Sequence, residues 1–145
     1  MNRYAMTMLA LVGCSGAAPR PTGPPLSAIR RTLIDQRPAG VGGWQTRLYL
    51  IEYPPLAEAP LHVHPAAGIG FVLEGSFDSA FGDEAVSHVT SGHGFVDQPA
   101  VTHRVFRNPS ATEPLRFVIA YTLPDGEPPF RPVARGADPA PAASP

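Results

Sequence analysis

Between Trp44 and Leu123 the chain runs in short segments whose apolar residues recur at every second position, with turn-forming residues between the segments. A repeat of two belongs to half-buried strands, whereas an amphipathic helix needs a repeat near 3.6. The longest segment, Trp44-Gln45-Thr46-Arg47-Leu48-Tyr49-Leu50-Ile51-Glu52-Tyr53, is rich in aromatic and β-branched residues and stops at Pro54-Pro55. Further strands are predicted at Leu61 to His64, Ile69 to Leu73, Ser76 to Phe81, Ala85 to Thr90, Gly94 to Asp97, Thr102 to Phe106 and Leu115 to Leu123. Pro65-Ala66-Ala67-Gly68, Glu74-Gly75, Gly82-Asp83, Ser91-Gly92 and Asn108-Pro109 supply the turns between them. Short strands at this spacing predict an all-β fold, an antiparallel sandwich or barrel. Ile29 to Ile34 fits either a lead-in strand or a short helical turn.

The ends of the chain have a different composition. Many of the 19 prolines lie outside the strand-rich window, which predicts one folded domain over 28–126 with extended segments on either side. Residues 14–27 read as a Pro/Gly-rich tether and 127–145 as a Pro/Ala-rich disordered tail that drapes over the domain at Phe130. All 11 basic residues are arginines, and the 12 acidic ones leave a net charge of −1 with no basic run, so a nucleic-acid partner is not expected. One cysteine, Cys14, excludes an internal disulfide framework. Residues 1–13 carry a short positive start and an apolar stretch. They lead into Leu11-Val12-Gly13-Cys14, which resembles the bacterial lipobox of lipid-modified envelope proteins. That resemblance implies a cleaved signal peptide, lipidation at Cys14 and a periplasmic lipoprotein, with Ser15 favouring the outer membrane. The competing expectation is a cytoplasmic protein with an incidental cysteine.

All five histidines fall between positions 62 and 103. His62 and His64 are two apart, so in a strand both face one side, about 6–7 Å apart along the chain. That spacing lets two imidazoles converge on one ion, and His103 on a separate strand offers a third. The competing reading is of polar strand residues hydrogen-bonded in a barrel mouth. His88 and His93 are expected at the surface.

Pro60-Leu-His-Val-His-Pro-Ala-Ala-Gly-Ile-Gly-Phe-Val-Leu-Glu-Gly-Ser-Phe resembles the first motif of the cupin family, and Gly92-His-Gly-Phe-Val-Asp-Gln-Pro-Ala-Val-Thr-His-Arg-Val-Phe-Arg-Asn resembles the second. The resemblance runs from about Tyr49 to Tyr121. It implies a single cupin-type antiparallel β-barrel, a jelly roll or double-stranded β-helix, with His62, His64 and His103 carried over as metal ligands. Two family positions depart: the leading glycine of the first motif corresponds to Leu56, and its glutamate falls near Gly68 or Ile69, neither of which offers a side-chain ligand. The implied cofactor is a divalent transition metal (iron, zinc, manganese, nickel or copper) held by three neutral imidazoles, as in some family members that use iron(II).

Arg47, Tyr49, Phe71 and Gln98 are candidates to line a ligand pocket, while Asp97 reads as an ordinary loop residue. Three function classes fit: a metal-dependent dioxygenase or isomerase acting on a small organic molecule, a non-catalytic small-ligand-binding or sensing lipoprotein with a degenerate metal site, and a structural envelope protein. Neither a nucleophile elbow for a serine hydrolase nor a Gly-rich phosphate loop before a helix is present. Association of two barrels is expected, with Ile29 to Ile34 as the pairing edge.

Overall fold

The structure, a computed structural model, describes residues 24–25 and 28–134. Its strands are β1 (Arg30–Pro38), β2 (Trp44–Tyr53), β3 (His62–Val63), β4 (Gly68–Glu74), β5 (Ser76–Phe81), β6 (Ser87–Thr90), β7 (Gly94–Asp97), β8 (His103–Arg107), β9 (Leu115–Pro124) and β10 (Arg131–Pro132). They form two five-stranded sheets, ordered β1-β2-β9-β4-β7 and β10-β3-β8-β5-β6. Each pairing of named strands is antiparallel. This is the expected all-β barrel. No helix among the described residues is long and apolar enough to cross a membrane.

Strand β9 shows why the sequence folds this way. Leu115, Phe117, Ile119, Tyr121 and Leu123 are buried, while the residues between them are more exposed. It pairs without interruption against β2, from Trp44 opposite Pro124 to Tyr53 opposite Leu115. Its other edge pairs with β4, whose inward residues are Gly68, Gly70 and Val72. The two glycines leave room for rings: a Cβ on Gly70 would lie 2.3 Å from the Phe95 ring. Strands β5 and β8 close the opposite wall with Phe77, Phe81 and Phe106. A register shift between Ala80 and Phe81 lets both His103 and Phe106 face inward despite their odd spacing.

Ile29 to Ile34 resolves as strand: β1 extends to Pro38, pairs with β2 and forms the outermost strand of its sheet. Leu56 has φ 60°, so the left-handed backbone that favours glycine persists there with leucine in place. Asn108 is buried. Its side-chain amide donates to the carbonyls of Pro54 at 3.2 Å and Glu113 at 2.8 Å, and its Oδ1 accepts from Ser110 N at 3.0 Å, tying together the loops below the barrel.

The chain past residue 127, expected to drape over the domain at Phe130, continues along the barrel as a short strand. Arg131 and Pro132 pair with Val63 and His62, and Val133 N donates to the Leu61 carbonyl at 2.9 Å. Proline density hid this strand. A Pro that cannot donate is tolerated at a sheet edge, where β10 lies. Cys14, the 1–13 leader and most of the 14–27 tether lie outside the described residues.

The tight approach at Gly70 generates a stability test. Gly70→Ala must displace the Phe95 ring or the strand beneath it, and overpacking of this kind typically costs about 1–3 kcal/mol. Urea unfolding of the variant is expected to show that loss, and an unchanged midpoint would mean that Phe95 yields freely.

Candidate metal centre

Three histidines from two strands and the adjoining loop meet inside the barrel. His62 pairs directly across the ladder with His103, so their imidazoles lie side by side with ring centroids 4.9 Å apart. His64 follows two residues later, where a bridge to Pro99 carries the chain past the end of β3. Its ring centroid is 4.8 Å from that of His62. All three side chains are buried, and each can offer a ring nitrogen within 4.8 Å of the other two.

The outer nitrogens are each held by an oxygen. His62 Nδ1 donates to the Pro60 carbonyl at 2.7 Å, and His64 Nδ1 donates to the Pro129 carbonyl at 3.0 Å. A carbonyl can only accept, so both imidazoles carry hydrogen on Nδ1 and leave Nε2 bare. His103 turns its Nε2 to Ser79 Oγ at 2.8 Å, and its Nδ1 faces His64 Nε2 at 3.4 Å. Three ring nitrogens therefore converge in a buried space. Outer partners that fix the ring orientation are what metal-ligating histidines require. The donor set fits a transition ion.

Burial also keeps the imidazoles neutral. Desolvation pulls His62 and His64 down to about 4, and pulls His103 down to about 2. For His103, the neighbouring imidazoles add to that effect. Asp97, expected to be an ordinary loop residue, is instead buried at the end of β7 beside this cluster. Its Oδ2 lies 3.4 Å from His64 Nε2 and its Oδ1 4.0 Å from His103 Nδ1. Burial raises Asp97 to about 6, although the Tyr121 hydroxyl that it accepts favours its ionised form. Tyr121 in turn stacks on His64 with ring centroids 5.6 Å apart.

A cavity opens from the three histidines, with about 70 Å³ accessible to the centres of water molecules. Ile51, Phe106, Phe117 and Ile119 form apolar walls, and Arg31 and Phe130 stand at its margin. The Arg31 guanidinium lies 4.8 Å from the centroid of the Phe130 ring.

Of the candidate pocket residues, Tyr49 lines this cavity and the other three do not. Arg47 donates to the carbonyls of Pro124 at 3.2 Å and Glu127 at 2.6 Å, fastening the C-terminal segment instead of facing a ligand. Phe71 falls on the outward phase of β4 and is exposed. Gln98 donates to the Glu84 carboxylate at the surface. His88 and His93 are at the surface as expected, His88 against Asp78 and His93 beside Thr90. Sequence reasoning missed Arg31, Asp97 and Tyr121, and expected Phe130 against the domain without placing it at the cavity. Asp97 was legible through alternation, because Phe95 and Asp97 share the inward phase of β7 while Gly94 and Val96 face out.

Fold and site together define a small jelly-roll barrel with a histidine cluster built for a metal ion. Residues 49–121 match the cupin domain family, and the chain belongs to that family. Among solved structures it is similar to a conserved double-stranded β-helix protein from Klebsiella pneumoniae (21% identity, TM-score 0.56, covering 74% of this chain and 86% of that one). It is also similar to a cupin 2 domain-containing protein from Halorhodospira halophila (27% identity, TM-score 0.54, 75% and 73%). A Thermus thermophilus protein shares the fold at 19% identity and a TM-score of 0.52, covering 69% of this chain and 87% of that one. No curated protein matches the chain.

The buried histidines set the acid response of folding. In the unfolded chain they take up protons as the pH falls through 6.5, whereas the folded protein keeps His62 and His64 neutral down to about 4 and His103 lower still. The unfolded state therefore binds more protons in that window, and stability falls as the pH is lowered through it. Asp97 acts in the opposite sense. Raised from 3.8 to about 6, it is protonated first in the folded protein and returns part of the loss between those values. Three groups outweigh one, so the urea midpoint of metal-free protein is expected to drop steadily from pH 7 to pH 4.5. A flat or rising midpoint would contradict the burial of these rings.

Proposed function

We propose that the protein holds one divalent transition metal through His62, His64 and His103 and acts as a metal-dependent dioxygenase or isomerase on a small organic molecule bound in the adjoining cavity. The observation that carries this reading is the convergence of three buried imidazole nitrogens, each ring backed by an oxygen on its far side. Imidazole donors suit iron, zinc, manganese, nickel and copper, and the choice among them follows from measurement. When bound, such an ion supplies open coordination positions and Lewis acidity to a substrate oxygen or to dioxygen.

The remaining chemistry belongs to the chain. The apolar walls lower the local dielectric beside the histidines and strengthen polar contacts made there. Arg31 makes no ion pair among the described residues and borders the cavity, which supports an anionic group on the ligand. It also lies close enough to Tyr53 to oppose the burial that pushes the phenol up to about 12.

The test is metal content after purification without a histidine tag and reloading with each candidate ion. One ion per chain is expected. His103→Ala is expected to abolish uptake with the β-sheet spectrum intact, whereas His88→Ala and His93→Ala leave it unchanged. If wild-type protein takes up none of the five metals, the enzyme reading falls and a non-catalytic ligand-binding lipoprotein takes its place.

For location, the proposal is a lipid anchor on Cys14 in the bacterial envelope, supported by Leu11-Val12-Gly13-Cys14 after an apolar run. Cys14→Ala is expected to move the protein from the membrane fraction to the soluble one; wild-type protein that is already soluble, or that retains Met1, would refute the anchor. The released form is expected to sediment as a dimer, since β1 is an outermost strand with Leu33 and Ile34 exposed, and a monomer at micromolar concentration would overturn the pairing.

A further inference from the structure

We propose that Asp97 is the fourth protein ligand of the metal centre, a carboxylate supplied by β7 of the facing sheet. The inference rests on the three-histidine reading above and adds a ligand from outside that set.

Three observations converge on it. The first is distance. Metal–ligand bonds of about 2.1 Å place ligand atoms about 3.0 Å apart when cis on an octahedral ion and about 4.2 Å apart when trans. The carboxylate oxygens lie 3.4 Å from His64 Nε2 and 4.0 Å from His103 Nδ1, and those two nitrogens are 3.4 Å apart. The first two separations use different carboxylate oxygens, Oδ2 and Oδ1, and all three fall within the span that one ion would bridge; the donors mutually within 4.8 Å are those of the three histidines, so Asp97 joins them by a turn of its carboxylate.

The second is charge. Among the residues bordering the cavity, Asp97 is the sole acid, and it is 5% exposed. With neutral imidazoles a divalent ion would bring two uncompensated charges into an apolar space, and one carboxylate halves that charge where it is most costly.

The third is orientation. Gly68 of β4 stands directly opposite Asp97 in the ladder, and a Cβ there would lie 2.3 Å from Tyr121 Cε1. The absence of that side chain seats the Tyr121 ring, whose hydroxyl donates to Asp97 Oδ2. The carboxylate is thereby aimed at the histidines by a hydroxyl whose other side-chain partner among the described residues is His64. A side chain on β4 and the Tyr121–Asp97 pair are mutually exclusive occupants of one space.

Cobalt(II) is the probe, because its visible absorption reports ligand number and type independently of turnover. Wild-type protein and Asp97→Asn, Asp97→Glu and His103→Ala variants are titrated with cobalt(II) against a competing chelator. Asp97→Asn is expected to retain its fold, to bind at least about tenfold more weakly and to shift the absorption bands, with partial recovery in Asp97→Glu. Equal affinity and identical bands in Asp97→Asn would overturn the fourth-ligand assignment while leaving the three-histidine centre standing. Failure of the wild type to bind would overturn both. Should Asp97→Asn not fold, the infrared difference spectrum of wild-type protein carrying ¹³C-labelled aspartate decides the matter. Loading with metal is expected to move one aspartate carboxylate band, and no movement would refute the proposal.

Discussion

The pairing of β9 between β2 and β4 is the constraint on which the rest of the molecule depends. No other strand supplies so many buried side chains, and its alternation is uninterrupted from Leu115 to Leu123. Because β2 is held to it through ten consecutive pairs, slipping the register by one residue would turn every inward side chain of one strand outward. Burying five large side chains from a single strand, at roughly 1.5–3 kcal/mol each, makes such a slip prohibitive. The register of β9 also fixes where Tyr121 stands, and so links the hydrophobic core to the polar cluster.

The polar cluster is an unusual component of such an interior. Three imidazoles and a carboxylate are buried among aromatic rings, with His103 stacked on Phe81 at a centroid separation of 3.9 Å. Buried polar groups persist when every one is satisfied. Here the outer nitrogens find the carbonyls of Pro60 and Pro129 and the hydroxyl of Ser79, and the inner atoms find only each other. The architecture thus gathers the inner ring nitrogens at one point and satisfies polar groups around it.

How much of this was legible in the sequence depended on range. Strands with their own alternation, such as Trp44 to Tyr53 and Leu115 to Leu123, could be located nearly to the residue, and His62, His64 and His103 stood out by type and spacing. Contacts fixed only by tertiary pairing did not. Phe71 has the size and polarity of a pocket wall, yet the phase of β4 places it outside. Arg47 faces the same side as Tyr121 but lies at the end of the barrel, where the carbonyls of Pro124 and Glu127 engage it. Phe130 and Arg131 lie in proline-rich sequence with no strand signal of their own, and what orders them is the unpaired edge of β3. Asp97 was obscured by its position beside Gln98-Pro99, which reads as a turn, although the two residues before it set its inward phase.

The Pro129 carbonyl lies 65 residues downstream of the imidazole that it fixes. A chain emerging from the ribosome therefore displays His62, His64 and His103 well before the group that sets the tautomer of His64 exists in its final place. Until that segment closes against β3, His64 Nδ1 lacks the carbonyl that holds it. The setting of His64 is in this sense an event of late folding, completed by a segment that follows all three histidines in the chain.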